Sequence, residues 1–167
     1  MGSSESPRIV RVWIEGETSM SEMLANRYFA SGRYEEAQAG LEAVLRRRPG
    51  HLGARKKLVM CYVQTGRLRE ALDLALGLME DAPEAFAPAG PNAEDLPCRS
   101  VLGAFAERGR SLDPGSYHAG LGVLQLFCDA EVALSELDRA AEEDPSRIEI
   151  RALRAVVRKH LEAKHVR

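Results

Sequence analysis

The stretch "GRYEEAQAGLEAVLRRRP", residues 32–49, runs from a glycine through a charged amphipathic segment to a closing proline. Ala37, Leu41 and Val44 recur at the steps that place side chains on one face of a helix. Sliding the chain against itself by 34 residues lays this stretch on "GRLREALDLALGLMEDAP", residues 66–83. Gly32, Ala37 and Pro49 then meet Gly66, Ala71 and Pro83, while Leu24 and Tyr28 upstream meet Leu58 and Tyr62. A third copy, "CDAEVALSELDRAAEEDP" at 128–145, follows the second at a shift of 62, with Ala133, Leu137, Ala140 and Pro145 in the matching places. Its leading half, "GSYHAGLGVLQLF", carries Tyr117, Leu121 and Leu124 at helical spacing.

Each recurring residue has a physical task. A glycine between two amphipathic runs supplies a left-handed backbone angle, which lets one helix end and the next begin sharply. The recurring alanine is small where two helices approach closely. The proline stops the second helix because it lacks the N–H that a further turn would use. Cys128 stands at the glycine place of the third copy, so that turn is expected to be looser, or less strained in backbone angle, than the other two.

The repeat units are read at 18–51, 52–85 and 114–147, in a single domain over 18–167 preceded by an extension, 1–17. Residues 86–113 break the tandem spacing. Their first part is rich in Ala, Pro and Gly and reads as loop; from Pro97 to Gly109 the pattern predicts a helix with Val101, Leu102 and Phe105 inward, the remnant of a degenerate repeat that lost its first helix. A last helix over 148–165 carries Ile150, Leu153, Val157 and Leu161 on one stripe and is expected to cap the stack, whose end would otherwise expose apolar surface. Near the start, "RIVRVWIE" at 8–15 is strand-like in its β-branched content.

Of 167 residues, 45% are hydrophobic and 29% charged, with a net charge of -2, which fits a globular chain and excludes attraction of the whole molecule to nucleic acid. No run of 18 apolar residues offers a membrane span. Three cysteines, Cys61, Cys98 and Cys128, are odd in number and lack CxxC spacing. That pattern argues against a disulfide framework and a zinc cage, and with the missing signal-peptide pattern it places the protein in a reducing cytoplasm.

The unit with a turn glycine, a small alanine and a terminal proline resembles the tetratricopeptide repeat. The resemblance implies an all-α fold, a right-handed α-α superhelix of about three helix pairs whose first helices line a concave groove. It implies a non-catalytic adaptor or scaffold that binds a peptide or helix of another protein in that groove, with no cofactor or metal. The implied groove positions are Glu22, Asn26 and Phe29 in the first unit and Lys56, Lys57, Met60, Val63 and Gln64 around the second. Phe29, Met60 and Val63 would be apolar anchors, so replacing Met60 and Val63 by aspartate is expected to abolish partner capture without unfolding. Residues 86–95 are placed beside the groove, as its cover or as part of the site. Some family members clamp a partner's C-terminal carboxylates; Asn26 stands at a matching place, but Glu22 and Lys57 depart from the clamp, as do Gly115 and Ala119. Cytoplasmic chaperones of type III secretion are similar in length and repeat number, and are the alternative within this class.

Charge adds little. Six cations between Arg46 and Lys57 face seven acids between Glu70 and Asp95, and such blocks on neighbouring helices are expected to pair at the surface. Arg147, Arg151, Arg154 and Arg158 share one face of the last helix, but an aromatic content of 5% leaves few rings for base stacking, so nucleic acid is an improbable ligand. The rival from another class is a thiol-dependent enzyme or redox sensor that uses Cys61, Cys98 or Cys128, with His118 as base.

Overall fold

The computed structural model describes residues 22–86 and 98–166. All regular structure among them is helical: α1 over 22–30, α2 (Tyr34–Arg47), α3 (Leu52–Gln64), α4 (Leu68–Asp81), a 3₁₀ turn (Pro83–Phe86), α5 (Cys98–Arg108), a second 3₁₀ turn (Gly109–Ser111), α6 (Pro114–Gln125), α7 (Ala130–Glu143) and α8 (Ile148–His165). The strand-like segment 8–15 and residues 87–95 of the insertion lie outside the described residues.

The repeat recurs in atomic detail. Gly32 and Gly66 take φ of 75° and 81°, the only positive values among the described residues. In each turn the arginine N–H reaches back to a tyrosine carbonyl, Arg33 to Tyr28 at 2.9 Å and Arg67 to Tyr62 at 2.8 Å. Each guanidinium then lies 4.6 Å from the ring centroid of that tyrosine and pairs with a glutamate one turn into the next helix, Glu36 or Glu70. The third turn is built differently. Leu126, Phe127 and Cys128 form it without a left-handed residue, and the Asp129 carboxylate caps α7 by accepting from the N–H groups of Glu131 and Val132 at 3.0 and 3.1 Å. Pro114 at the first turn of α6 and Asp113, which accepts from Ser116 N at 2.9 Å, start that helix in the same manner.

The second helices share one burial pattern. Ala37, Ala71 and Ala133 are each 0% exposed, and Val44, Leu78 and Ala140 lie in the core one or two turns on. α3 packs between α2 and α4, and α6 packs on α7 while touching both α3 and α4. Gly122 lies against Leu137 and the Ala133 carbonyl so closely that a Cβ would sit 2.9 Å from Leu137 Cγ, which explains the tight α6–α7 approach.

Two elements pack in ways that their spacing alone does not specify. α5, a single helix without a partner of its own, packs on α3 and α6, which are both first helices. α8 buries Ile150, Leu153 and Val157 completely, as its stripe requires, but lies against α4 as well as α7 and so bridges the second helices of units two and three. An Arg69–Glu149 ion pair at 3.3 Å joins the starts of α4 and α8.

Candidate interaction surface

Of the eight positions singled out along α1 and α3, three are tied by polar contacts near the surface. Glu22 binds Arg48 and also His51, whose Nε2 is 2.9 Å away, so its carboxylate ties the start of α1 to the α2–α3 turn. Lys57 Nζ donates to Asn26 Oδ1 at 2.9 Å, and Lys56 is half-buried beside it. Phe29, Met60, Val63 and Gln64 are inside: they are 5%, 2%, 4% and 5% exposed. As the chain stands they are core, not an open wall, and this corrects the expectation that Phe29, Met60 and Val63 are free anchors and Gln64 an open groove position.

α5 covers Gln64 at the end of α3. Gln64 Nε2 donates to the Val101 carbonyl at 2.7 Å, and Arg108 donates from its guanidinium to the Gln64 carbonyl at 3.0 Å. Arg108 also lies 5.6 Å from the Tyr34 ring centroid and 3.9 Å from Glu35, so the end of α5 is pinned to the start of α2. Phe105 stacks on Tyr117 with centroids 5.7 Å apart and fills the space that Gly120 leaves, where a Cβ would come within 2.5 Å of the ring. At the other end Cys98 and Cys128 form a disulfide with Cα atoms 6.0 Å apart, tying the start of α5 to the α6–α7 turn. The argument against a disulfide is thereby corrected for this pair, and the reducing compartment inferred from it loses that support.

The thiol rival finds no footing in the remaining cysteine. Cys61 is 0% exposed, and burial, with a smaller push from Glu35, drives its pKa up to about 12. His118 is held by Glu136, with Nδ1 2.7 Å from the carboxylate. A buried thiol kept protonated is a weak nucleophile. Iodoacetamide at pH 8 should therefore leave Cys61 untouched in the folded chain and alkylate it fully once the chain is denatured; fast labelling of the native protein would contradict this. Tyr62 is also raised to about 12, by burial first and then by its hydrogen bond to Glu42. Both groups ionise later in the folded chain than in the unfolded one, from ordinary values of 9.0 and 10.0. Their stabilisation is thus complete below about pH 9 and falls away as the pH climbs toward 12, which a denaturant titration at increasing pH would read.

An open apolar groove lies on the other side of α3. Its walls are α2 and α4, and its lining is Leu45, Leu58, Tyr62 and Leu74, edged by Glu42, Arg46, Glu70 and Asp73, with a volume of about 580 Å³. Glu42 accepts from the Tyr62 hydroxyl at 2.9 Å and pairs with Arg67 at 3.1 Å, which fixes the tyrosine ring as part of the floor. The sequence reading missed this groove because it assigned binding to the first helices alone. The signal was present, since Leu58 and Tyr62 recur from Leu24 and Tyr28 at the same 34-residue interval.

The charged blocks meet in part as expected, with Arg55 on Asp81 at 3.0 Å. The arginine face of α8 is partly taken up: Arg154 and Arg158 lie 3.6 and 2.8 Å from Asp138, and Arg147 donates to Ser116 Oγ at 3.0 Å. No described helix is long and apolar enough to cross a membrane.

A scan against protein-family models matches residues 28–89 to the tetratricopeptide repeat. Residues 28–89 are tetratricopeptide repeats. No match was found among curated proteins. The matched span covers the Tyr28–Arg33–Glu36 and Tyr62–Arg67–Glu70 constellations and the whole groove between α2 and α4. Tetratricopeptide repeats generally mediate contacts between proteins and are typically non-enzymatic.

Proposed function

We propose that this chain is a non-catalytic adaptor that captures an amphipathic helix of another protein in the groove between α2 and α4. The observation that carries this reading is the placement of α8. One repeat further on, the chain lays α8 against α4 and α7 and buries Ile150, Leu153 and Val157 completely. Among the described residues, the chain thus fills one pair of neighbouring second helices with an apolar helical stripe of its own and leaves the preceding pair open. Leu45, Leu58, Tyr62 and Leu74 would receive such a stripe, with hydrophobic contact supplying the affinity. Glu70 and Asp73 on the α4 rim favour a partner with lysine or arginine beside its apolar stripe, which sets orientation and rate of encounter.

The test compares affinity capture by the wild type and by a Leu45→Lys/Leu74→Lys variant. Both leucines are only partly buried, so the variant should keep its helical circular dichroism and its cooperative melt. A true partner is lost from the variant, and titration of the purified partner should show at least a tenfold weaker Kd, since two apolar contacts of about 1 kcal/mol each are removed. A partner that binds both proteins equally would place the interaction elsewhere.

A further inference from the structure

We infer that the surface beneath α5 is a second helix-binding site, occupied by the chain's own α5 and gated by the Cys98–Cys128 disulfide. Three observations converge on it. First, α5 rests on α3 and α6 through a small contact, with only Val101 and Phe105 fully buried among its side chains. Secondly, the fit is incomplete: Gln64 is 5% exposed, its Nε2 is satisfied by Val101, and its Oε1 has no hydrogen-bond partner among the described residues. A buried acceptor without a donor is costly, so an occupant that offers an N–H or O–H there would hold the surface better than α5 does. Thirdly, the N-terminal end of α5 is fastened covalently, by a bond that chemistry can open without touching the repeat core.

The resident describes its competitor. A partner helix would place an aromatic ring in the slot formed by Gly120 and Tyr117, where Phe105 now lies. An arginine one turn later would take over the Gln64 carbonyl and the Tyr34 face from Arg108. Displacing α5 would uncover Gln64, one of the positions that the family resemblance implies for a binding wall.

Opening the gate is a thiol–disulfide exchange with a dithiol. One thiolate of the dithiol attacks the Cys98 sulfur, and Cys128 leaves as a thiolate that takes up a proton. The second thiol of the reagent then resolves the mixed disulfide and frees Cys98. Two electrons and two protons pass to the protein, and the dithiol becomes a disulfide. Closure is the reverse reaction, with a disulfide as oxidant.

The experiment uses the full chain in three forms: oxidised, reduced with dithiothreitol, and as the Cys98→Ser/Cys128→Ser variant without reductant. Hydrogen exchange over residues 98–108 should accelerate at least about tenfold in the two opened forms while α6 and α7 keep their protection, the mark of local release. A fluorescent synthetic peptide of residues 98–111, carrying Cys98→Ser, should bind the opened forms at least about tenfold more tightly than the oxidised one. Unchanged exchange in α5, or equal peptide binding by all three forms, overturns the gate. A general loss of protection or helicity on reduction overturns it as well, because the disulfide would then be a structural staple. None of these readouts depends on the groove between α2 and α4.

Discussion

Replacing Met60 and Val63 together by aspartate should unfold the protein. Both side chains lie in the core, at 2% and 4% exposure, on the face of α3 that the rest of the chain covers. Each substitution forfeits roughly 1.5–3 kcal/mol of apolar burial and adds the several kcal/mol that an unpaired carboxylate costs in a dry interior. The sum reaches or passes the whole margin of a domain this size, about 5–15 kcal/mol. Far-UV circular dichroism should show a large loss of helix, and heating should give no cooperative transition. Lys56→Ala, at a half-buried surface position of the same helix, should stay within about 0.5 kcal/mol of wild type. A wild-type melt for the double variant would mean that these side chains face solvent after all. A loss of partner capture in that variant would therefore report unfolding and not the place of the partner.

Ending the chain at Arg147 should have the next largest effect. Ile150, Leu153 and Val157 are all 0% exposed, and burying three such side chains contributes about 5–9 kcal/mol before the surfaces uncovered on α4 and α7 are counted. Ordering α8 offsets part of this, but the surfaces it covers are left apolar and wet. The truncated chain should melt at least about 10 °C lower, and it should bind a hydrophobic dye that the full chain ignores. Removing only residues 162–167, of which 162–166 are exposed, should leave the melt almost unchanged. If the Arg147 truncation melts within a few degrees of wild type, α8 is an ornament and the case for a helix-filled outer groove falls with it.

The period and the turn chemistry were legible because they are local. Gly32 and Gly66 adopt the left-handed angles that their places between two amphipathic runs demand, and the alanine at each close approach is fully buried. The stripe on α8 was equally legible, since Ile150, Leu153 and Val157 need only helical spacing to share a face. What lies against a stripe is another matter. Met60, Val63 and Gln64 were assigned to an open wall by the family resemblance, but all three lie in the core, and Gln64 is bound by a helix some forty residues later in the chain. Nothing in the spacing of 98–108 says that Phe105 will find the gap left by Gly120, because that gap exists only after α6 has packed. The Cys98–Cys128 pair was hidden for the same reason: the two residues are brought together by the return of α5 across the fold. The Tyr, Arg and Glu triplets at 28, 33 and 36 and at 62, 67 and 70 were in plain view at the shared interval, and they marked the tyrosine that lines the outer groove.

The reach of α8 back to α4 changes how the row of helix pairs comes apart. In a simple row each unit leans only on its neighbours, so the free energies of the units and of their interfaces add along the chain. Here units two and three share a brace, and neither loosens without straining the other, so they should melt as one block. The first pair, outside that brace, is left as the end from which the molecule unzips.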